Sequence, residues 1–309
     1  MDNQLTQCTI SDFFEIYGQE IPKRIVDSFI RKNMLPNTLI FWGPKGVGKF
    51  TLALNIASRL TGKGELIIKN RYPDFLVFFP HFKDYDNEEI FKLKVSGKYH
   101  LLSSEPGNIL IDDIREIIRN ASMTTYSGGY RIFVIVQAER MTEEANQAFL
   151  KLLEEPVLNN IFILITEHKN NLIETIRSRG TEIRFSPLKK EEILKVLKKL
   201  NVEINNEILE FSYGIEDYMF LKENIDTLKK LDILFFETSG DERMKEIDFL
   251  LSLSPGVLIN LLLKLLDKNR NKLNVDDIEK KMKALKNAIF YMERNVIPEN
   301  IIRYLVMEV

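Results

Sequence analysis

Residues 43–49 read Gly-Pro-Lys-Gly-Val-Gly-Lys and stand between a short apolar run, residues 39–42 (LIFW), and a stretch with helical spacing. Strand, glycine-rich loop, helix is the context that a GxxxxGK phosphate loop needs. Gly43, Gly46 and Gly48 let backbone N–H groups close round a phosphate, and Lys49 would reach its outer oxygens. The motif therefore constrains this part of the chain to an α/β fold built on a parallel sheet.

Apolar runs too short for helices recur at residues 132–136 (IFVIV) and 161–165 (IFILI), with a fourth around 76–79 (LVFF). Runs without polar alternation predict strands covered on both faces. Ile114, Ile117, Ile118 and Ala121 recur at i, i+3, i+4 and i+7, which predicts a helix, with Asp113 and Glu116 as its capped start. A second helix carries Ala145, Ala148, Phe149, Leu152 and Leu153 on one face, with Glu143 and Glu144 in its first turn. After Pro187 the strand signals stop, and Ile193, Val196, Leu197 and Leu200 form a helical stripe behind a Ser186-Pro187 start. Thr238-Ser239-Gly240-Asp241 is the candidate linker. The expected organisation is a P-loop sandwich over residues 1–186, a small helical lid over 187–238 and a C-terminal helical bundle over 241–309.

The chemistry of the loop lacks parts. The position after Lys49 should carry a hydroxyl that binds magnesium, and it is Phe50. Thr51 comes one residue later, rotated by about 100° along a helix and so away from the phosphates. The strand over 132–136 should end in carboxylates that hold magnesium and polarise water, but it ends in Val136 and Gln137. Gln137 can orient a water and cannot accept its proton. Glu139 is the nearest carboxylate and is read as a solvated loop charge. The site is thus expected to be hydrolytically dead, with weak ATP or ADP binding through the glycines and Lys49 left open.

A net charge of −2 gives no global field for a phosphate backbone, which disfavours an autonomous DNA-binding protein. One cysteine, Cys8, excludes an intramolecular disulfide framework and fits a reducing compartment. The polar, acidic start does not resemble a signal peptide, and the longest apolar run, residues 257–266, is about half a membrane span, so a cytoplasmic location is expected. His81, His100 and His168 lack ligand spacing, and no metal is expected.

Four segments carry a resemblance to the AAA+ clamp-loader family and, within it, to the delta-prime subunits of bacterial DNA polymerase III: Tyr17-Gly18-Gln19; residues 109–115 (ILIDDIR, taken as a strand) running on to 127–131 (SGGYR); residues 141–156 (MTEEANQAFLKLLEEP); and residues 175–180 (TIRSRG). Residues 146–156 are similar to the family's NALLKxLEEP helix. The resemblance implies that Arg179, with Ser178, is an arginine finger reaching a neighbouring subunit's ATP, and Gly180 stands where the family has cysteine. It also implies a degenerate ATPase with no turnover of its own. The implied partners are the gamma/tau motor subunits and the delta subunit, with the sliding clamp and primer-template DNA reached through the complex.

The four-cysteine zinc module of many relatives is absent, so no zinc is expected. Tyr218 replaces the family's lid arginine, Thr166 stands at its first sensor, and the end of the chain, with Ile301, Ile302, Leu305 and Val306, resembles the last collar helix. Two alternatives remain: an active gamma/tau-type ATPase using Thr51 and Glu139, and an autonomous DNA repair factor on the same fold.

Overall fold

The computed structural model describes residues 15–99, 102, 106–126, 128–155, 157–237, 240–251, 255–293 and 296–309. Cys8, His100, Ser127, Pro156, Thr238, Ser239 and Asn295 lie outside the described residues. Two compact units are formed, one by residues up to Ile204 with Tyr213–Asp217, the other by Asn205–Ser212 with Tyr218–Val309.

The first unit runs α1 (Glu20–Arg31), β1 (Thr38–Trp42), α2 (Lys49–Thr61), α3 (Gly64–Ile68), β2 (Phe75–Phe78), α4 (Asn87–Val95), α5 (Ile111–Ser122), β3 (Arg131–Val136), α6 (Glu143–Glu154), β4 (Asn160–Thr166), α7 (Glu174–Arg177), β5 (Thr181–Arg184) and α8 (Lys190–Lys199). Its five strands pair in parallel in the order β2-β3-β4-β1-β5. The four apolar runs in the sequence are four of these strands. β5 escapes notice because it is a polar edge strand, Thr-Glu-Ile-Arg, in which only Ile183 is buried.

Alternation sorts the strand side chains into two layers. Ile40, Phe133, Ile135, Phe162 and Leu164 face Ile114, Ile117 and Ala121 of α5 and Ala145, Phe149, Leu152 and Leu153 of α6. Phe133 and Phe162 stack at 5.2 Å, and Phe149 meets Phe162 edge-on at 5.6 Å. α2 packs on β3 and β4 through a second apolar layer that includes Leu52, Ala53, Ile56 and Ala57.

Three expected starts move. The ILIDDIR segment is not a strand: Ile109 makes one bridge to Met141, and the helix begins at Ile111. Asp113 lies inside that helix, and its carboxylate accepts the Leu110 N–H at 2.7 Å, so it closes the first turn from within. α8 starts at Lys190, not at Ser186-Pro187, and Glu192 accepts the Lys189 N–H at 2.8 Å. At the expected position Thr142 caps α6 by accepting the Ala145 N–H at 3.3 Å.

The second unit is helical: α9 (Asn206–Phe211), most of α10 (Ile215–Glu223), α11 (Ile225–Phe236), α12 (Gly240–Lys245), α13 (Ile247–Leu251), α14 (Pro255–Asn269), α15 (Val275–Glu293) and α16 (Pro298–Glu308). Gly240 of the candidate linker already begins α12. Ile301, Ile302, Leu305 and Val306 are buried, as the apolar stripe of α16 predicts. Asp232 of α11 holds Lys268 at 2.9 Å and Asn269 at 2.7 Å, tying α14 to α11. Among the described residues no helix is long and apolar enough to cross a membrane.

One buried ion pair fixes the β2–β3 edge. Arg131 donates to Asp74 Oδ1 at 2.7 and 3.0 Å, and also to the carbonyls of Met123 and Thr124 at 3.0 and 2.9 Å, where α5 ends. Asp74 Oδ2 accepts the Tyr126 N–H at 2.8 Å, so the pair is knitted into backbone on both sides. Asp74→Ala strands a buried guanidinium and is expected to cost about 3–5 kcal/mol in a urea melt. A loss below about 1 kcal/mol would show that other groups take over the charge.

Candidate functional site

The phosphate loop lies at the carboxyl end of β1, and its backbone has the shape the glycines predict. Gly43, Gly46 and Gly48 have φ of 143°, 66° and 100°. A Cβ on Gly43 would fall 2.2 Å from the Phe185 carbonyl oxygen, so only glycine fits there. Gly43 N–H donates to the Glu167 carbonyl at 3.1 Å.

Lys49 is buried and its ammonium turns back onto its own loop, donating to the carbonyls of Gly43 and Pro44. Burial lowers its pKa from 10.5 to about 8, against the opposing pull of Glu167, Glu216 and Glu139, while Lys94 adds to the lowering. Phe50, at the expected hydroxyl position, is buried and packs against Phe91 at 5.9 Å and Phe79 at 6.1 Å. Thr51 is half-buried in the first turn of α2.

The other side of the site is β3. Val136 is buried in the sheet, opposite Ile165 of β4. Gln137 takes a left-handed conformation, φ 54°, that turns the chain out of the strand, and its Oε1 accepts from the Tyr99 hydroxyl at 3.4 Å. The expectation that Glu139 is a solvated loop charge is corrected. Burial raises its pKa, and its Oε2 is buried with no hydrogen-bond partner among the described residues. Thr166 donates to the His168 carbonyl at 3.1 Å, closing the end of β4.

In the stretch that carries Tyr218, the residues that belong here are Gly214, Ile215 and Glu216, which no motif marks. Ile215 N–H donates to the Gly46 carbonyl at 3.0 Å. A Cβ on Gly46 would lie 2.3 Å from the Glu216 nitrogen, and one on Gly214 would lie 2.1 Å from the Lys45 carbonyl oxygen. Glu216 bonds Lys94 of α4 at 2.6 Å. Burial alone would raise its carboxyl, but Lys94, Lys45 and Lys49 outweigh that and hold it below the usual carboxylate value. Lys45 in turn pairs with Glu167 at 3.1 Å, and Lys94 lies over the Tyr99 ring at 3.8 Å. These residues do not fit a magnesium-bound triphosphate: Phe50 offers no ligand, Lys49 is bonded to its own loop, and a carboxylate stands among the lysines.

Tyr218 falls in the second unit, fully buried, where its hydroxyl accepts the Asn205 N–H at 2.7 Å. Arg179 and Ser178 are exposed beyond α7. Arg179 donates to Glu154 at 2.9 Å and to the Thr175 carbonyl at 3.0 Å, and Ser178 also donates to that carbonyl, at 3.0 Å. A Cβ on Gly180 would meet Ile40 Cδ1 at 2.6 Å and Thr38 Cγ2 at 3.3 Å, which leaves no room for cysteine beside this Ile40. Gly180 thus lies at the amino end of β1, about 15 Å along the sheet from the phosphate loop at its carboxyl end. Among the described residues no three His, Cys, Asp or Glu side chains group as a metal site requires. His81 instead pairs with Asp113 at 2.9 Å.

Two outcomes test this geometry. Phe50→Ser should cost about 3–5 kcal/mol in a denaturant melt, because it empties an aromatic cluster, and should give no phosphate release from ATP. Lys49 has a folded pKa below its unfolded value, so its penalty on folding is full below pH 8 and is relieved as pH rises toward 10.5. Lys49→Met should therefore stabilise the chain at pH 7 by up to about 3 kcal/mol, an advantage that shrinks across that window in paired thermal melts.

Comparison with known proteins agrees with this frame. The family described as DNA polymerase III, delta subunit, matches residues 18–189, more than half of the chain. The replication factor C small subunit 2 of Pyrobaculum arsenaticum is 28% identical over 205 residues, covering 65% of this chain and 54% of that protein. The replication factor C small subunit of Staphylothermus marinus is 29% identical over 209 residues, 66% of this chain and 54% of that protein. The chain thus spans about half the length of the curated relatives it matches. A DNA polymerase III gamma subunit-related protein from Thermotoga maritima shares the fold, with a TM-score of 0.51 at 16% identity over 91% of this chain and 97% of that one. A glycine-rich loop after β1, a five-stranded parallel sheet and this match together make the chain a member of the DNA polymerase III delta-subunit family, on the AAA+ clamp-loader fold.

Proposed function

We propose that this chain is a delta-prime-type subunit of a bacterial clamp loader, which does not hydrolyse ATP and donates Arg179 to the ATP site of a neighbouring subunit. The observation that carries the reading is the position of Arg179: exposed, and at the opposite end of β1 from its own phosphate loop. An arginine there cannot serve the chain's own loop. A planar guanidinium presented outward suits the charge that develops on a phosphoryl group held by another chain. Phe50 in an aromatic cluster and Val136 in the core support the loss of hydrolysis, since neither can hold magnesium.

On this reading the partners are gamma/tau-type motor subunits and a delta subunit, and the sliding clamp and primer-template DNA are engaged through the complex in the cytoplasm. Residues 187–238 act as a lid and 241–309 as the collar segment that joins the ring.

The test is the ATPase rate of the reconstituted complex. Arg179→Ala should lower turnover at the neighbouring site by about 10³ or more, and Arg179→Lys should not restore it, because lysine keeps the charge and loses the fork. Unchanged turnover in an assembled complex overturns the finger assignment. A second reading, an active gamma/tau-type ATPase, has Glu139 behind it, a carboxylate inside the site beside Thr166. ATP hydrolysis by the isolated chain, abolished by Glu139→Gln, would establish it.

A further inference from the structure

We propose that Glu216 is the resident anion of the phosphate loop: its carboxylate takes the charge role of a nucleotide phosphate and keeps nucleoside polyphosphates out. The inference rests on the reading that this chain does not hydrolyse ATP, and it states what the loop does instead.

Backbone, charge and side-chain direction converge on it. Ile215 N–H donates to the Gly46 carbonyl at 3.0 Å, so the first turn of α10 is seated on the glycine loop. The contact is close enough to need glycine on both sides, Gly46 under the Glu216 nitrogen and Gly214 over the Lys45 carbonyl. Glu216 then faces one ammonium directly and feels the field of two more. It bonds Lys94 at 2.6 Å, keeps only a fifth of its side chain exposed, and sits in the field of Lys45 and Lys49. Lys49, the residue that would otherwise reach for outer phosphates, donates to Gly43 and Pro44.

A polyphosphate entering this loop meets a carboxylate where it needs donors. Placing like charges together is unfavourable, and the apparent affinity falls with the fraction of molecules whose loop is open. The segment that carries Glu216 is also local to the loop, since residues 213–217 belong to the first compact unit although their chain neighbours on both sides belong to the second. The phosphate loop has become an internal clasp, in which the lysines neutralise a side chain of the same protein.

The experiment uses the full chain alone, titrated with a fluorescent ADP analogue by anisotropy and with pyrophosphate by calorimetry. Glu216→Gln keeps the size and removes the charge; Gly214→Ala adds a Cβ that must lift the segment off the Lys45 carbonyl. Each should tighten binding by about tenfold or more over wild type. Adding Lys49→Met to Glu216→Gln should erase the gain. Wild type that binds as tightly as Glu216→Gln overturns the proposal, and so does a Glu216→Gln chain, folded by circular dichroism, that gains nothing. Should Gly214→Ala fail to fold, the near-isosteric Glu216→Gln decides the question by itself. No ring partner is present, so a failure here is distinct from a failure of Arg179 to act on a neighbour.

Discussion

A buried ammonium must be answered by carbonyl dipoles or by negative charge, and Lys49 receives both from its own chain. The carbonyls of Gly43 and Pro44 accept its protons, and the carboxylates of Glu167, Glu216 and Glu139 supply the opposing field. In a working phosphate loop a ligand fills that role. Here the chain itself supplies part of that answer, and the nearby structure follows from it: the Gly214–Glu216 segment is pinned to the loop, Lys94 of α4 is drawn in to Glu216, and Tyr99 is held under Lys94.

The sheet keeps this region apart from Arg179. β1 runs from Thr38, beside Gly180, to Trp42, which leads into the loop, so five residues of extended backbone separate the phosphate loop from the segment that carries Arg179. Glu154, at the end of α6, steadies Arg179 with a single exposed ion pair. Such a pair contributes about 1 kcal/mol or less and is easily exchanged for a ligand. The Asp74–Arg131 pair is of another kind, because both charges are buried and each also bonds backbone groups.

Much of the fold was legible because burial on both faces writes itself into a strand. The runs ending at Trp42, Val136 and Ile165 contain no polar alternation, and the Ala145 to Leu153 stripe repeats at helical spacing. β5 was not legible, since an edge strand with one buried residue looks like any polar loop. The ILIDDIR segment is ambiguous for a different reason: Ile109, Leu110 and Ile111 form an apolar run like those of the buried strands, and the Asp113 carboxylate settles the matter by closing a helical turn.

For the site, residue type alone decided what cannot happen. A phenyl ring at 50 and an aliphatic chain at 136 cannot themselves ligate magnesium wherever the backbone goes. The sequence also placed the glycines, because their conformations are local and only glycine tolerates them. What fills the loop was decided by tertiary structure. Glu216 is 167 residues from Lys49 and looks like any first-turn glutamate; only the packing of Gly214 on Lys45 brings it among the lysines. Likewise Glu139 reads as a loop charge until the left-handed turn at Gln137 carries its carboxylate into a buried position. Local conformation and chemical incapacity are properties of the residue and its neighbours, whereas charge complementarity depends on distance, which the folded chain alone sets.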